Sequence, residues 1–127
     1  MKVCFVDTNI YLRFLRKDNP DQFKFADKLF TDAVFNKLKL RSSLIVFFEI
    51  YWVLKKLYGQ MGEDLQNNLM GVLDLRVKFS KKKILKVAVQ DMDKFEYDLE
   101  DAFNFYIAKE QDVDEFVTFD KKLQKKW

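Results

Sequence analysis

Val3-Cys4-Phe5-Val6-Asp7-Thr8-Asn9 is a short apolar run that stops at an acid and two small polar residues. Its β-branched and aromatic members read as a buried strand that ends at Asp7. The same arrangement stands near the other end of the chain, where Phe116-Val117-Thr118-Phe119 runs into Asp120. In open parallel sheets, ligand sites gather beyond the carboxyl ends of the strands. If both strands are central and parallel, Asp7 and Asp120 share one rim. Each alone also suits an N-cap, since aspartate is favoured there; together they point to a site.

Between these two ends, helix signals alternate with weaker strand signals. Ile10, Leu12, Phe14 and Leu15 follow the first strand at helical spacing. Asn19-Pro20 is a helix start, and the apolar positions after it predict a helix to about Asn36. Leu38 to Ser43 is a weak second strand, and Leu44 to Tyr58 a helix apolar on almost every side, closed by Gly59. A helix through Leu65 and Leu73, a short strand at Arg76–Ser80 and a helix over Ile84–Phe95 come next. Asp98 to Gln111 is helical again, and after Asp120 the chain ends in a short basic tail. The alternation predicts an α/β domain with a mainly parallel sheet, spanning residues 1–127 as one unit.

Composition narrows the chemistry. Histidine is absent, which removes Ser-His-Asp hydrolysis, paired-histidine ribonuclease chemistry and histidine-rich zinc sites. The single Cys4 cannot form an internal disulfide and suits a reducing cytoplasm. A net charge of +3 permits nucleic-acid binding without requiring it. No apolar stretch is long enough for a secretory signal or a membrane span, so a soluble protein is expected. The 14 phenylalanines exceed what a small core readily encloses and hint at an oligomer or partner interface, with ordinary core packing the plainer reading.

Three more acids complete a candidate set. Glu49 interrupts Leu44-Ile45-Val46-Phe47-Phe48 and Ile50-Tyr51-Trp52-Val53-Leu54. It either faces solvent or is partly buried against a partner, of which a cation is one. Asp98 and Asp101 lie on adjoining parts of one helix face. Asp98 also suits the helix cap, so Asp101, beside the small Ala102, is the preferred ligand. Carboxylates without histidine or clustered cysteine describe a hard-cation site for Mg²⁺ or Mn²⁺. The chemistry such a site serves is phosphodiester hydrolysis.

With these residues in view, the chain resembles a PIN domain, most closely the VapC-type toxins of bacterial and archaeal toxin–antitoxin pairs. The matching segments are Phe5–Asn9, Ser43–Ile50, Tyr97–Ala102 and Val117–Lys121. Each is weak alone, and four in register are specific. The resemblance implies a three-layer α/β/α fold and a metal-dependent endoribonuclease in which Asp7, Glu49, Asp101 and Asp120 are catalytic metal ligands. It implies metal-activated water as nucleophile, Asp98 as an auxiliary ligand, and Asn9 and Thr118 as polar groups that orient carboxylates or water. It further implies RNA as substrate, a small antitoxin as partner and a homodimer, with the aromatic helix Phe47–Trp52 as a contact surface or as core. The resemblance departs at one place, since many relatives run on into a last edge strand where this sequence stops at Trp127.

Basic residues beside the acidic segments, Arg13, Arg16, Lys17, Lys121 and Lys122, with Lys125 and Lys126 beyond, are candidates for RNA phosphate contact. Lys81-Lys82-Lys83 reads as solvated surface. A dehalogenase-like phosphatase would need a second aspartate where Asn9 stands. A receiver domain would need an acidic pair at the first strand and a mid-chain phospho-acceptor. The serious alternative is a PIN-like scaffold that binds RNA or protein with little or no cleavage.

Overall fold

A computed structural model describes residues 1–127. Three strands, β1 (Lys2–Phe5), β2 (Leu38–Ser42) and β3 (Val77–Phe79), form an all-parallel sheet in the order β1-β2-β3. Parallel neighbours require crossovers, and helices supply them. The helices α1 (Thr8–Arg16) and α2 (Pro20–Val34) join β1 to β2, and α3 (Leu44–Lys56) and α4 (Gly62–Asp74) join β2 to β3. After β3 come α5 (Lys82–Gln90), a 3₁₀ turn (Met92–Phe95), α6 (Leu99–Glu110) and α7 (Lys121–Lys126). The parallel sheet flanked by seven helices is consistent with the expected α/β/α class, with one sheet face left exposed.

The caps follow the local chemistry. The Asn19 side chain accepts from Gln22 N at 3.1 Å, with Pro20 at the first helical position. Ser43 caps α3 by accepting from Val46 N at 3.2 Å. At its other end Gly59, with φ of +63°, lets Gln60 N reach back to Leu54 O at 3.0 Å. The helix expected over Ile84–Phe95 breaks at Asp91, whose φ and ψ of −102° and 7° leave the helical region.

One side of the sheet builds the core. Leu40, Ser42, Val77 and Phe79 are buried, and aromatic rings close over them, with Tyr11 and Phe47 at 5.9 and 5.7 Å from Phe79. The lone polar pair here is self-contained: Ser42 Oγ donates to Val6 O at 2.7 Å, so the Tyr11 hydroxyl, 2.6 Å from Ser42 Oγ, must donate to it. On the other side, Val3, Lys39, Phe5, Arg41 and Lys78 are cross-strand neighbours and all exposed.

Two expectations fail here. Val3–Val6 is not a fully buried strand: β1 is an edge, with Val3 52% and Phe5 65% exposed and Cys4 half-buried. Phe116–Phe119 is not a strand at all but an irregular segment with Val117 and Phe119 exposed. The carboxyl end holds that segment in place of a sheet. Trp127 packs tilted against Phe116, with ring centroids 5.8 Å apart, and donates through Nε1 to Asp114 O at 3.3 Å, while Gln124 donates to Thr118 O. What read as a basic tail after Asp120 is the helix α7. No helix is long and apolar enough to cross a membrane.

Candidate active site

Parallel pairing of β1 with β2 places the starts of α1 and α3 at one end of the sheet. Asp7 occupies the N-cap position of α1, yet its exposed side chain makes no capping bond. Thr8 turns inward, is buried, and donates to Glu49 Oε2 at 2.9 Å. Glu49 is on the exposed side of α3 between the half-buried Phe48 and the buried Ile50, so its carboxylate lies one residue from Asp7 without being interred.

The second group of acids gathers at the start of α6. Two consecutive residues in the left-handed region, Glu96 (φ 57°) and Tyr97 (φ 61°), swing the chain into Asp98. Such backbone costs about 1–2 kcal/mol per residue and persists where surroundings enforce it. Here Tyr51 enforces it, donating to Tyr97 O at 3.0 Å and accepting from Leu99 N at 3.3 Å. Asp98 then caps α6 through Asp101 N at 2.9 Å. Asp101 is half-buried. Burial, and next the carboxylates of Asp98, Asp120 and Glu100, hold its carboxyl above the usual range.

Asp120 caps α7, accepting from Lys122 N at 2.9 Å and Leu123 N at 3.3 Å, and its own N–H donates to Thr118 Oγ1 at 3.0 Å. Asp101 and Asp120 line one cavity of about 280 Å³, with Lys94, Lys122, Lys125 and Lys126 on its walls. The meeting of Asp120 with Asp101 therefore comes from the loop before α7 and not from a shared strand rim. Helix α3 links the two acidic groups, touching α1 through Glu49 and α6 through Tyr51 and a Phe48–Phe103 ring contact at 5.4 Å.

No three acidic side chains stand close enough together to hold a metal ion. The chemistry of the donors nonetheless fits a hard cation. Mg²⁺ is commonly bound through one or two carboxylates, with water and substrate phosphate completing its shell, and the carboxylates crowded around Asp101 are the charge a cation would neutralise.

The supporting residues are dispersed. Thr118 contacts the backbone of Asp120 and not a carboxylate. Asn9 lines a separate cavity with Arg13 and Asp21. Among the basic candidates, Arg13 pairs with Asp18 at 3.3 Å, Lys122 pairs with Glu96, Arg16 stacks on Tyr58 at 3.8 Å, and Lys17 lies over Phe23 at 5.3 Å. Lys121 is exposed and does not line the cavity. Lys94 does, and nothing in its local sequence marked it. Thr8 and Tyr51 were also not singled out for a role, because their contacts span 41 to 48 residues of chain.

Comparison with known proteins gives one match. The family model described as PIN domain fits residues 4–126. Nothing among curated proteins or solved structures matches.

Proposed function

The chain belongs to the PIN domain family, and on that premise we propose that it is an endoribonuclease dependent on Mg²⁺ or Mn²⁺, the toxin of a VapC-type toxin–antitoxin pair. The supporting observation is Asp101, a half-buried carboxylate whose proton affinity is raised by burial and by neighbouring acids, on a cavity it shares with Asp120 and four lysines. A carboxylate so crowded is suited to a cation. Asp101 and Asp120 would hold it, with Asp7 and Glu49 as further ligands and Asp98 as an auxiliary one. A bound divalent ion supplies a lowered pKa for water and neutralises phosphate charge. The chain's own part is positioning: Thr8 orients Glu49, Tyr51 fixes the start of α6, and Lys125 and Lys126 meet the phosphodiester.

The partners in this reading are RNA, a small antitoxin and a second copy of the chain. Ile45 and Trp52, both exposed on α3, are apolar surface available to such a partner. A cytoplasmic location suits the single Cys4, which has no disulfide partner within the chain.

The test is cleavage of labelled single-stranded RNA by the purified chain with Mg²⁺ or Mn²⁺. Activity that EDTA abolishes and Asp101→Asn removes supports the nuclease; equal cleavage by Asp101→Asn defeats it. Growth arrest on induction that vanishes in the same variant supports the toxin role.

A second reading is favoured by the absence of three converging carboxylates. On it, the domain binds RNA or protein without cleaving. RNA retained intact across a full Mn²⁺ titration selects this reading.

A further inference from the structure

We propose that the open face of the sheet is a track for single-stranded RNA, leading from the foot of β2 and β3 to the acidic end of β1. The inference rests on the RNA-binding part of the function above and not on cleavage.

The face has a distinct make-up. Phe5, Arg41 and Lys78 stand side by side across three strands, with Val3 and Lys39 paired behind them. All are exposed, Phe5 to 65%. At the foot of β2 and β3, Lys39, Arg41, Arg76, Lys78 and Lys82 line a cavity of about 480 Å³ that no carboxylate lines. None of these five cations joins an ion pair. Two of them are held by neutral acceptors, with Asp74 acting on Lys82 only from beyond ion-pair distance. Arg76 donates to Val34 O at 3.2 Å and Asn36 Oδ1 at 3.0 Å, and Lys82 to Leu75 O at 3.2 Å and Val77 O at 2.9 Å.

Positioned cations without counter-charge complement a polyanion. A ring exposed in the same row selects among polyanions, because single-stranded nucleic acid pairs phosphate contact with base stacking on aromatic side chains. Duplex RNA keeps its bases stacked inside and gains nothing from Phe5. Phe5 is also two residues before Asp7, so a strand lying along this face would run toward the end of β1 where Asp7 stands.

The experiment measures binding of a fluorescein-labelled oligouridine to the full chain in EDTA, so that cleavage plays no part. The Lys39→Gln/Arg41→Gln/Lys78→Gln variant is expected to bind at least ten-fold more weakly and to lose about 2 from the magnitude of its salt slope. Phe5→Ala is expected to weaken binding about ten-fold with the slope unchanged. A control of equal charge, Lys24→Gln/Lys56→Gln/Lys83→Gln, should bind like the parent. Equal weakening by control and track variants overturns the proposal, as does unchanged binding by the track variant. Duplex RNA bound as tightly as oligouridine, or polyglutamate bound more tightly, also overturns it, the latter in favour of an acidic peptide. If the triple variant melts early, Phe5→Ala and Lys78→Gln alone carry the same readings. A chain that binds through this face and never cleaves ends the nuclease reading and leaves the track intact. Cleavage lost in Asp101→Asn but indifferent to the face does the reverse.

Discussion

Thr8 Oγ1 donates to Glu49 Oε2 at 2.9 Å, a bond between residues 41 apart that ties the first turn of α1 to the middle of α3. The hydroxyl is buried and the carboxylate is not, so the donor is fixed and the acceptor is oriented by it. Thr8→Val keeps the shape and removes the donor. It is expected to cost about 1 kcal/mol in urea denaturation, while RNA cleavage falls by a larger factor because Glu49 is no longer held. Thr8→Ser should restore both. A Thr8→Val protein that cleaves RNA as fast as the parent would show that this contact is structural only.

Tyr51 governs the other acidic group. Its hydroxyl, on a side chain 1% exposed, donates to Tyr97 O and accepts from Leu99 N and from Lys55 Nζ. Tyr51→Phe leaves a half-buried carbonyl and a buried amide without partners, at about 1–3 kcal/mol. Amide hydrogen exchange should quicken at the start of α6 and remain unchanged in α2. Uniform acceleration across the chain would mean global destabilisation without the local loosening.

Removing the charge at Asp101 has two opposed consequences that can be measured separately. Without divalent ions, Asp101→Asn relieves repulsion with Asp98, Asp120 and Glu100, so its melting temperature should equal or slightly exceed the parent's. With Mg²⁺ or Mn²⁺ the parent should gain stability as ligand accumulates, about 2.7 kcal/mol at a hundred-fold excess over Kd, and the variant much less. Identical metal-induced shifts in the two proteins would remove Asp101 from the ligand set.

The Tyr11–Ser42–Val6 chain of hydrogen bonds allows an asymmetric prediction. Tyr11→Phe leaves Ser42 still donating to Val6 O, so it should cost about 0.5–1.5 kcal/mol. Ser42→Ala strands both the buried Tyr11 hydroxyl and the Val6 carbonyl and should cost more, about 1–3 kcal/mol for each group left unpaired. Thermal or urea denaturation of the two variants decides the order, and the reverse ranking would refute this account of the donors.

Much of the helical framework was legible in the chain. Asn19-Pro20 announced its helix because capping depends on neighbours three residues away, a distance that sequence reports directly, whereas Ser43, read as the end of a strand, emerged as a cap only in the structure. Lys39 and Arg41, alternating with Leu38, Leu40 and Ser42, carried the period of a strand open on one side, though that signal was read only as a weak strand. Phe116–Phe119 misled for a related reason. An apolar run reveals β-propensity but not whether a neighbouring strand exists to pair with, and here Trp127 and Gln124 engage the segment instead.

The sequence by itself determined the kind of chemistry available, since a chain without histidine and with one cysteine leaves oxygen donors as the principal metal-binding groups, and the order of its elements required a parallel sheet joined by helices. Tertiary structure alone decided which acids became neighbours: Asp101 meets Asp120 through the loop before α7, Glu49 is held by Thr8, and no three acids converge closely enough to hold a metal ion. It also decided that one face of the sheet stays open. Residue type and short-range periodicity are local properties, whereas electrostatic neighbours and exposure depend on how segments forty or more residues apart pack, and that is set by burial of the shared core.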